Sequence, residues 1–236
     1  SMMYNNMGVI YFYEGALDEA FDYYDMSRTI STMSASPNDI NVGRALYNMG
    51  LVKEEKGFLI DASNLYERAL KIYLLNYGQY HHHIAEVYGS LGNIHLTRYE
   101  FKKAQYYFQK DLETSIHLYG EGHVETTWGY ENLGRLYQEE GKDSLAHEMF
   151  EKALEIRNQF YQGKNISIAN VLLSLAEIEK NTSKSIEYAK KALSVENSIT
   201  LKPTIGKWNI SLHLLQKYTQ LQRYSLAKKE LKRSIY

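Results

Sequence analysis

The chain has 236 residues, 27 Lys+Arg against 28 Asp+Glu, a formal charge of −1 and a 44% hydrophobic fraction, a balance that excludes disorder and argues against a dedicated nucleic-acid or membrane binder. The absence of Cys excludes a disulfide framework, a Cys-ligated zinc site and a thiol nucleophile, and 2 Pro beside 22 Tyr points to helices joined by short turns. No stretch approaches the roughly 18 continuous apolar residues of a membrane helix. The opening Ser1-Met2-Met3-Tyr4 lacks the charged and apolar regions of a signal peptide, so a cytoplasmic location is expected.

Taken in order, the chain repeats itself. A large residue followed by Gly occurs at Met7-Gly8, Met49-Gly50, Leu91-Gly92 and Leu133-Gly134, in steps of 42 residues. Three further columns keep that register: Ala20, Ala62, Ala104 and Ala146; Tyr24, Tyr66, Phe108 and Phe150; and Ser27, Ala69, Asp111 and Ala153. A fifth copy begins at Leu175-Ala176, loses three residues around 181–185, and resumes at Tyr188-Ala189 and Ala192-Leu193. A sixth, weaker copy covers Leu214-Leu215, Tyr218, Ala227 and Leu231.

Each copy reads as two helices. Leu133, Leu136 and Tyr137 fall at i, i+3 and i+4, and Gly141 then stops the helix by supplying a left-handed backbone, as Gly15 and Gly57 do in their copies. Leu145, Met149, Phe150, Ala153, Leu154 and Ile156 resume the helical period. Small residues at Gly134 and Ala146 let the two backbones approach, with Phe150 filling the space beside them. One such pair cannot bury its apolar face alone and must stack on its neighbours.

Large–Gly–x–x–Tyr, then Ala, an aromatic residue and a second Ala resembles the tetratricopeptide repeat. The 42-residue period, with Asn-Tyr-Gly-Gln-Tyr-His (76–81) and Leu-Tyr-Gly-Glu-Gly-His (118–123) between copies, is similar to repeats of the kinesin-light-chain type. That type carries a Pro after the His, where this chain has His82 and Val124. The resemblance implies an all-α, right-handed superhelical solenoid of about six helix pairs. The copies are expected at about 1–42, 43–84, 85–126, 127–168, 169–207 and 208–236, as one array within a longer chain.

No catalytic signature is present: there is no G-x-S-x-G, H-E-x-x-H, P-loop or G-x-G-x-x-G. Carboxylate pairs such as Glu54-Glu55 and Glu139-Glu140 close first helices beside Lys residues and read as solvated faces. The His81-His82-His83 run invites a metal reading. One of its members belongs to a column of Asp39, His81, His123 and Asn165, polar residues just ahead of first helices, where a side chain can satisfy free backbone donors. No metal, cofactor or catalytic residue is therefore assigned.

The resemblance implies that first helices line the concave side, so residues opposite the core phase face a groove. That column reads Asn6, Asn48, Ser90, Asn132 and Ser174, and an Asn there resembles the one that holds peptide backbone in peptide-binding members of the family. An Asn tying adjacent repeats together is the other reading. The candidate groove residues are Arg44, Tyr47, Asn48, Leu51, Glu86, Ser90, Asn93, Trp128, Glu131, Asn132 and Arg135. Tyr47, Tyr88 and Tyr130, near the starts of first helices, are either recognition anchors or core. Because Arg44 and Arg135 stand among Glu54, Glu55, Glu86, Glu131, Glu139 and Glu177, the acidic-peptide preference of kinesin-light-chain grooves is not carried over.

The function expected is a non-catalytic scaffold that grips a peptide segment or a partner surface. The alternative is a regulatory or sensor segment of a larger signalling protein, protease or receptor. Residues 1–179 hold 15 Lys+Arg and 25 Asp+Glu, whereas residues 180–236 hold 12 and 3. The basic end, with Lys228-Lys229 and Lys232-Arg233, is either a docking element, including head-to-tail self-association, or a solvated face.

Overall fold

The computed structural model describes residues 1–199 and Thr219; the rest of the sixth copy, with the basic Lys228–Arg233 clusters, lies outside the described residues. Among the described residues the secondary structure is helical throughout, with no strand. The helices are α1 (Met2–Tyr13), α2 (Leu17–Ser34), α3 (Ile40–Glu55), α4 (Leu59–Tyr77), α5 (His82–Thr97), α6 (Phe101–Tyr119), α7 (Thr127–Glu139), α8 (Asp143–Tyr161), α9 (Ile166–Ile178) and α10 (Thr182–Ile199). A 3-10 turn at Val124–Thr126 leads into α7. The chain divides into two compact units, Ser1–Glu121 with α1–α6, and Gly122 onward with α7–α10. No described helix is long and apolar enough to cross a membrane.

The second to fifth copies start the same way. Asp39 and Asn165 accept a hydrogen bond from the backbone N–H two residues on, at 2.9 Å in each case. His81 and His123 do so through Nδ1 at 3.2 Å. The histidines of the linker column are thus N-caps, and that bond fixes Nδ1 as the unprotonated nitrogen.

The first helices of the first four copies also end the same way. At the α1 C-terminus Gly15 N–H bonds Phe12 O and Ala16 N–H bonds Tyr11 O, the paired bonds of a Schellman motif. The pattern repeats after α3, α5 and α7. Gly15, Gly57 and Gly141 hold φ of 79°, 79° and 71°, as the turn requires. In the third copy the same position is Tyr99, at φ 56°.

The hairpins close on one contact. A Cβ added at Gly134 would stand 2.6 Å from Phe150, and Gly8, Gly50 and Gly92 meet Tyr24, Tyr66 and Phe108 in the same way. The ring of the second helix therefore lies on the bare backbone of the first, with Ala20, Ala62, Ala104 and Ala146 fully buried beside it. The fifth copy exchanges both partners: Ala176 stands at the glycine position and Ala189, by burial and register, at the ring position. Removing the ring makes room for the methyl. Ser185 replaces the small Ala and donates to Ala176 O at 2.5 Å.

Candidate functional site

In the first unit, α3 and α5 carry seven of the candidate residues. Asn48 Nδ2 donates to Asn5 Oδ1 at 2.9 Å, and Tyr47 OH lies 3.4 Å from Ser90 Oγ. Each bond joins one copy to the next, so these four side chains brace adjacent first helices. Burial pushes the Tyr47 hydroxyl up to about 12, so it stays protonated. Leu51 packs on the core cluster around Tyr66 and Ile72. Arg44 is half-buried, Glu86 is exposed and 2.9 Å from His83 Nδ1, and Asn93 is half-buried.

Glu54 is not the solvated residue its sequence neighbours suggest. It accepts from Tyr66 OH at 2.6 Å, and burial holds its carboxyl above the usual range despite that bond. The reach of the Tyr66 hydroxyl, projecting from beneath Gly50, pins α3 to α4.

In the second unit the candidate residues surround a side chain that sequence reading missed. Arg157, on α8, is only 2% exposed. Its Nε donates to Thr127 Oγ1 at 3.1 Å and its Nη1 to Ser167 O at 3.0 Å, joining α7 to α9. Its Nη2 lies 2.6 Å from Glu131 Oε1, and its guanidinium stacks 5.0 Å from the centre of the Trp128 ring. Arg135 Nη2 donates to Asn132 Oδ1 at 2.7 Å. Burial pushes the Glu131 carboxyl up to about 7, against the pull of Arg157 and Arg135.

The indole of Trp128 therefore stays 58% exposed while its other face rests on a guanidinium fixed by three partners. Asn132 is half-buried and Arg135 exposed, one turn further along α7. Tyr130, by contrast, is buried and belongs to the core. The signal for Arg157 was present: in the first three copies its column holds Ser31, Tyr73 and Ser115, all buried and uncharged.

The profile of the tetratricopeptide repeat family matches residues 1–74, 41–113 and 83–159. The chain belongs to the tetratricopeptide repeat family. Among solved structures it is similar to BtubC (BKLC) from P. vanneervenii at 22% identity and a TM-score of 0.74, over 84% of this chain and 80% of that one. It is also similar to a candidate kinesin light chain of Podosopora anserina with nearly identical TPR-like repeats, at 13% identity and a TM-score of 0.71, over 84% and 94%. The apo form of RapI aligns at 20% identity and a TM-score of 0.72, over 84% and 70%. At these identities the likeness shows the fold, a tetratricopeptide solenoid with kinesin-light-chain-type repeats among its neighbours. No curated protein matches the chain.

Proposed function

We propose that this tetratricopeptide repeat chain is a non-catalytic scaffold that holds a peptide segment or a partner surface against its first helices. Members of the family are generally non-catalytic and bind protein or peptide partners. The observation that carries the reading is Trp128, a large aromatic exposed on α7 yet held from behind by buried Arg157. An anchor whose geometry is fixed before binding costs little further ordering when a partner covers it. Asn132 and Arg135 supply amide and guanidinium groups beside it on the same helix, suited to a peptide backbone and to a carbonyl or carboxylate. On α3 and α5, Arg44, Glu86 and Asn93 are the corresponding polar contacts, with Tyr47, Asn48, Leu51 and Ser90 as the frame that positions them.

Peptides selected on the intact chain from a random display library test the reading. Asn132→Ala/Arg135→Ala should weaken their binding at least tenfold while shifting stability by less than about 0.5 kcal/mol, the usual range for surface positions. Unchanged affinity, or a melting point many degrees lower, would contradict it.

A further inference from the structure

Within the first unit, the linker between α4 and α5 gathers aromatic and imidazole rings. His81 stacks on Tyr77 of α4, with ring centres 3.6 Å apart and planes within 3° of parallel. His82 and His83 follow, their ring centres 4.2 and 5.3 Å from that of His81, and His83 stacks in turn on Tyr73 of α4. The charged groups around this cluster are Glu86 of α5, 2.9 Å from His83 Nδ1, and Arg44 of α3, whose charge pulls the Tyr73 hydroxyl down against burial. On α6, His117 stacks on Tyr80, the residue before His81.

His81 holds the start of α5 in two ways. Its carbonyl accepts from Ile84 N–H and Ala85 N–H at 2.9 and 3.2 Å, and its Nδ1 accepts from His83 N–H at 3.2 Å. The second bond needs a lone pair on Nδ1, which the neutral imidazole supplies only with its proton on Nε2. A proton taken up from water goes to that lone pair. Nδ1 then becomes a donor facing a donor, and His83 N–H loses its partner. A cation also stands at the positive end of the α5 dipole, beside two further imidazoles. Tyr77 and Glu86 favour that cation, yet burial, with His82 and His83 after it, holds the His81 imidazole below its ordinary range. The folded chain therefore binds this proton less tightly than the unfolded one. The contribution of the cap is full above the ordinary value near 6.5 and is lost as pH falls through the lowered one. Asp39 and Asn165, in the same column, make the same bond with oxygen acceptors that take up no proton in this range.

We propose that the linker ahead of α5 is an acid-sensitive joint: protonation of His81 at Nδ1 withdraws the cap and frees the first turn of α5, while the linkers capped by Asp39 and Asn165 stay closed. The joint lies between the second and third copies, and it works by one proton gained and one hydrogen bond lost, so it is reversible. This goes beyond the peptide-binding reading and does not depend on it, since the event is local to the chain and needs no partner.

Amide hydrogen exchange followed by NMR on the full chain tests the proposal, with each rate divided by that of an unstructured amide at the same pH. Between pH 7.5 and 5.0 the protection of the His83 amide should fall at least about threefold, as loss of an N-cap implies. The midpoint of that fall should coincide with the midpoint of the His81 imidazole and lie below about 6.5. The Asn41 and Ser167 amides, capped by Asp39 and Asn165, should keep their protection. His81→Asn supplies the acceptor that the column has at Asn165, and it should abolish the fall at His83. Constant protection at His83 in the wild type overturns the proposal. So does an equal fall at Asn41 and Ser167, or a fall that persists in His81→Asn, which would assign it to His82 or His83 instead. Should His81→Asn not fold, the wild type decides by itself, since a His83 midpoint away from that of the His81 imidazole contradicts the cap.

Discussion

Single positions show how the repeat is specified and where it is violated. Tyr99 takes the left-handed position that Gly15, Gly57 and Gly141 take elsewhere, and its side chain is exposed. A non-glycine residue there costs roughly 1–2 kcal/mol, of which the greater chain entropy of unfolded Gly returns part. Tyr99→Gly is therefore expected to stabilise the chain by about 0.5–1 kcal/mol in urea unfolding; a loss of stability would mean that the Tyr99 ring contributes more than its backbone costs. Glu131 gives a second test, because burial pushes its carboxyl in the folded state up to about 7. A carboxyl raised on folding binds its proton more tightly in the native state, so its stabilising contribution is full below the unfolded value near 4.3 and is lost as pH rises towards 7. Melting points of the wild type and Glu131→Gln between pH 5 and 8 check this: the wild type should lose more stability with rising pH than the variant, and equal slopes would contradict it.

At the scale of the helix, the ring-on-glycine contact decides how a pair closes. Gly134→Ala places a methyl against Phe150, and overpacking of this kind costs about 1–3 kcal/mol. Phe150→Ala alone leaves a cavity and costs about 3–5 kcal/mol. The double variant reproduces the Ala176/Ala189 pairing of the fifth copy, so it should be less destabilised than the sum of the singles, by about 0.5–3 kcal/mol in a double-mutant cycle. Strict additivity would show that the two side chains do not compete for one space. These element-level features were legible in the sequence because they recur. The Gly column, the turn glycines and the polar column ahead of first helices all reappear as structure. What was not legible depends on pairings between columns. Tyr130 lies near a helix start, yet its column also holds Leu46 and Leu172, both buried, and that company predicts core. Glu54 falls among charged neighbours, and only the length of the Tyr66 side chain brings a hydroxyl to it. Glu131 and Trp128 were singled out by phase, but the cation that organises them comes from α8, a different helix with its own period.

For the whole molecule, a single repeat type serves more than one purpose. In the first unit the column of Asn48 and Ser90 is occupied with joining copies. In the second unit the equivalent Asn132 bonds Arg135 beside an exposed Trp128. The same backbone register thus carries the bracing pairs of the first unit and, in the second, stands beside the candidate surface around Trp128. A scaffold of this kind needs no reacting group, only a surface held in one geometry. The claim that the chain works by holding a peptide through that surface is tested most directly by titrating a library-selected peptide against the wild type and Trp128→Ala, with melting curves on both. A loss of at least tenfold in affinity at an unchanged melting point is expected; equal affinity for the two proteins would contradict the role given to Trp128 and the scaffold reading built on it.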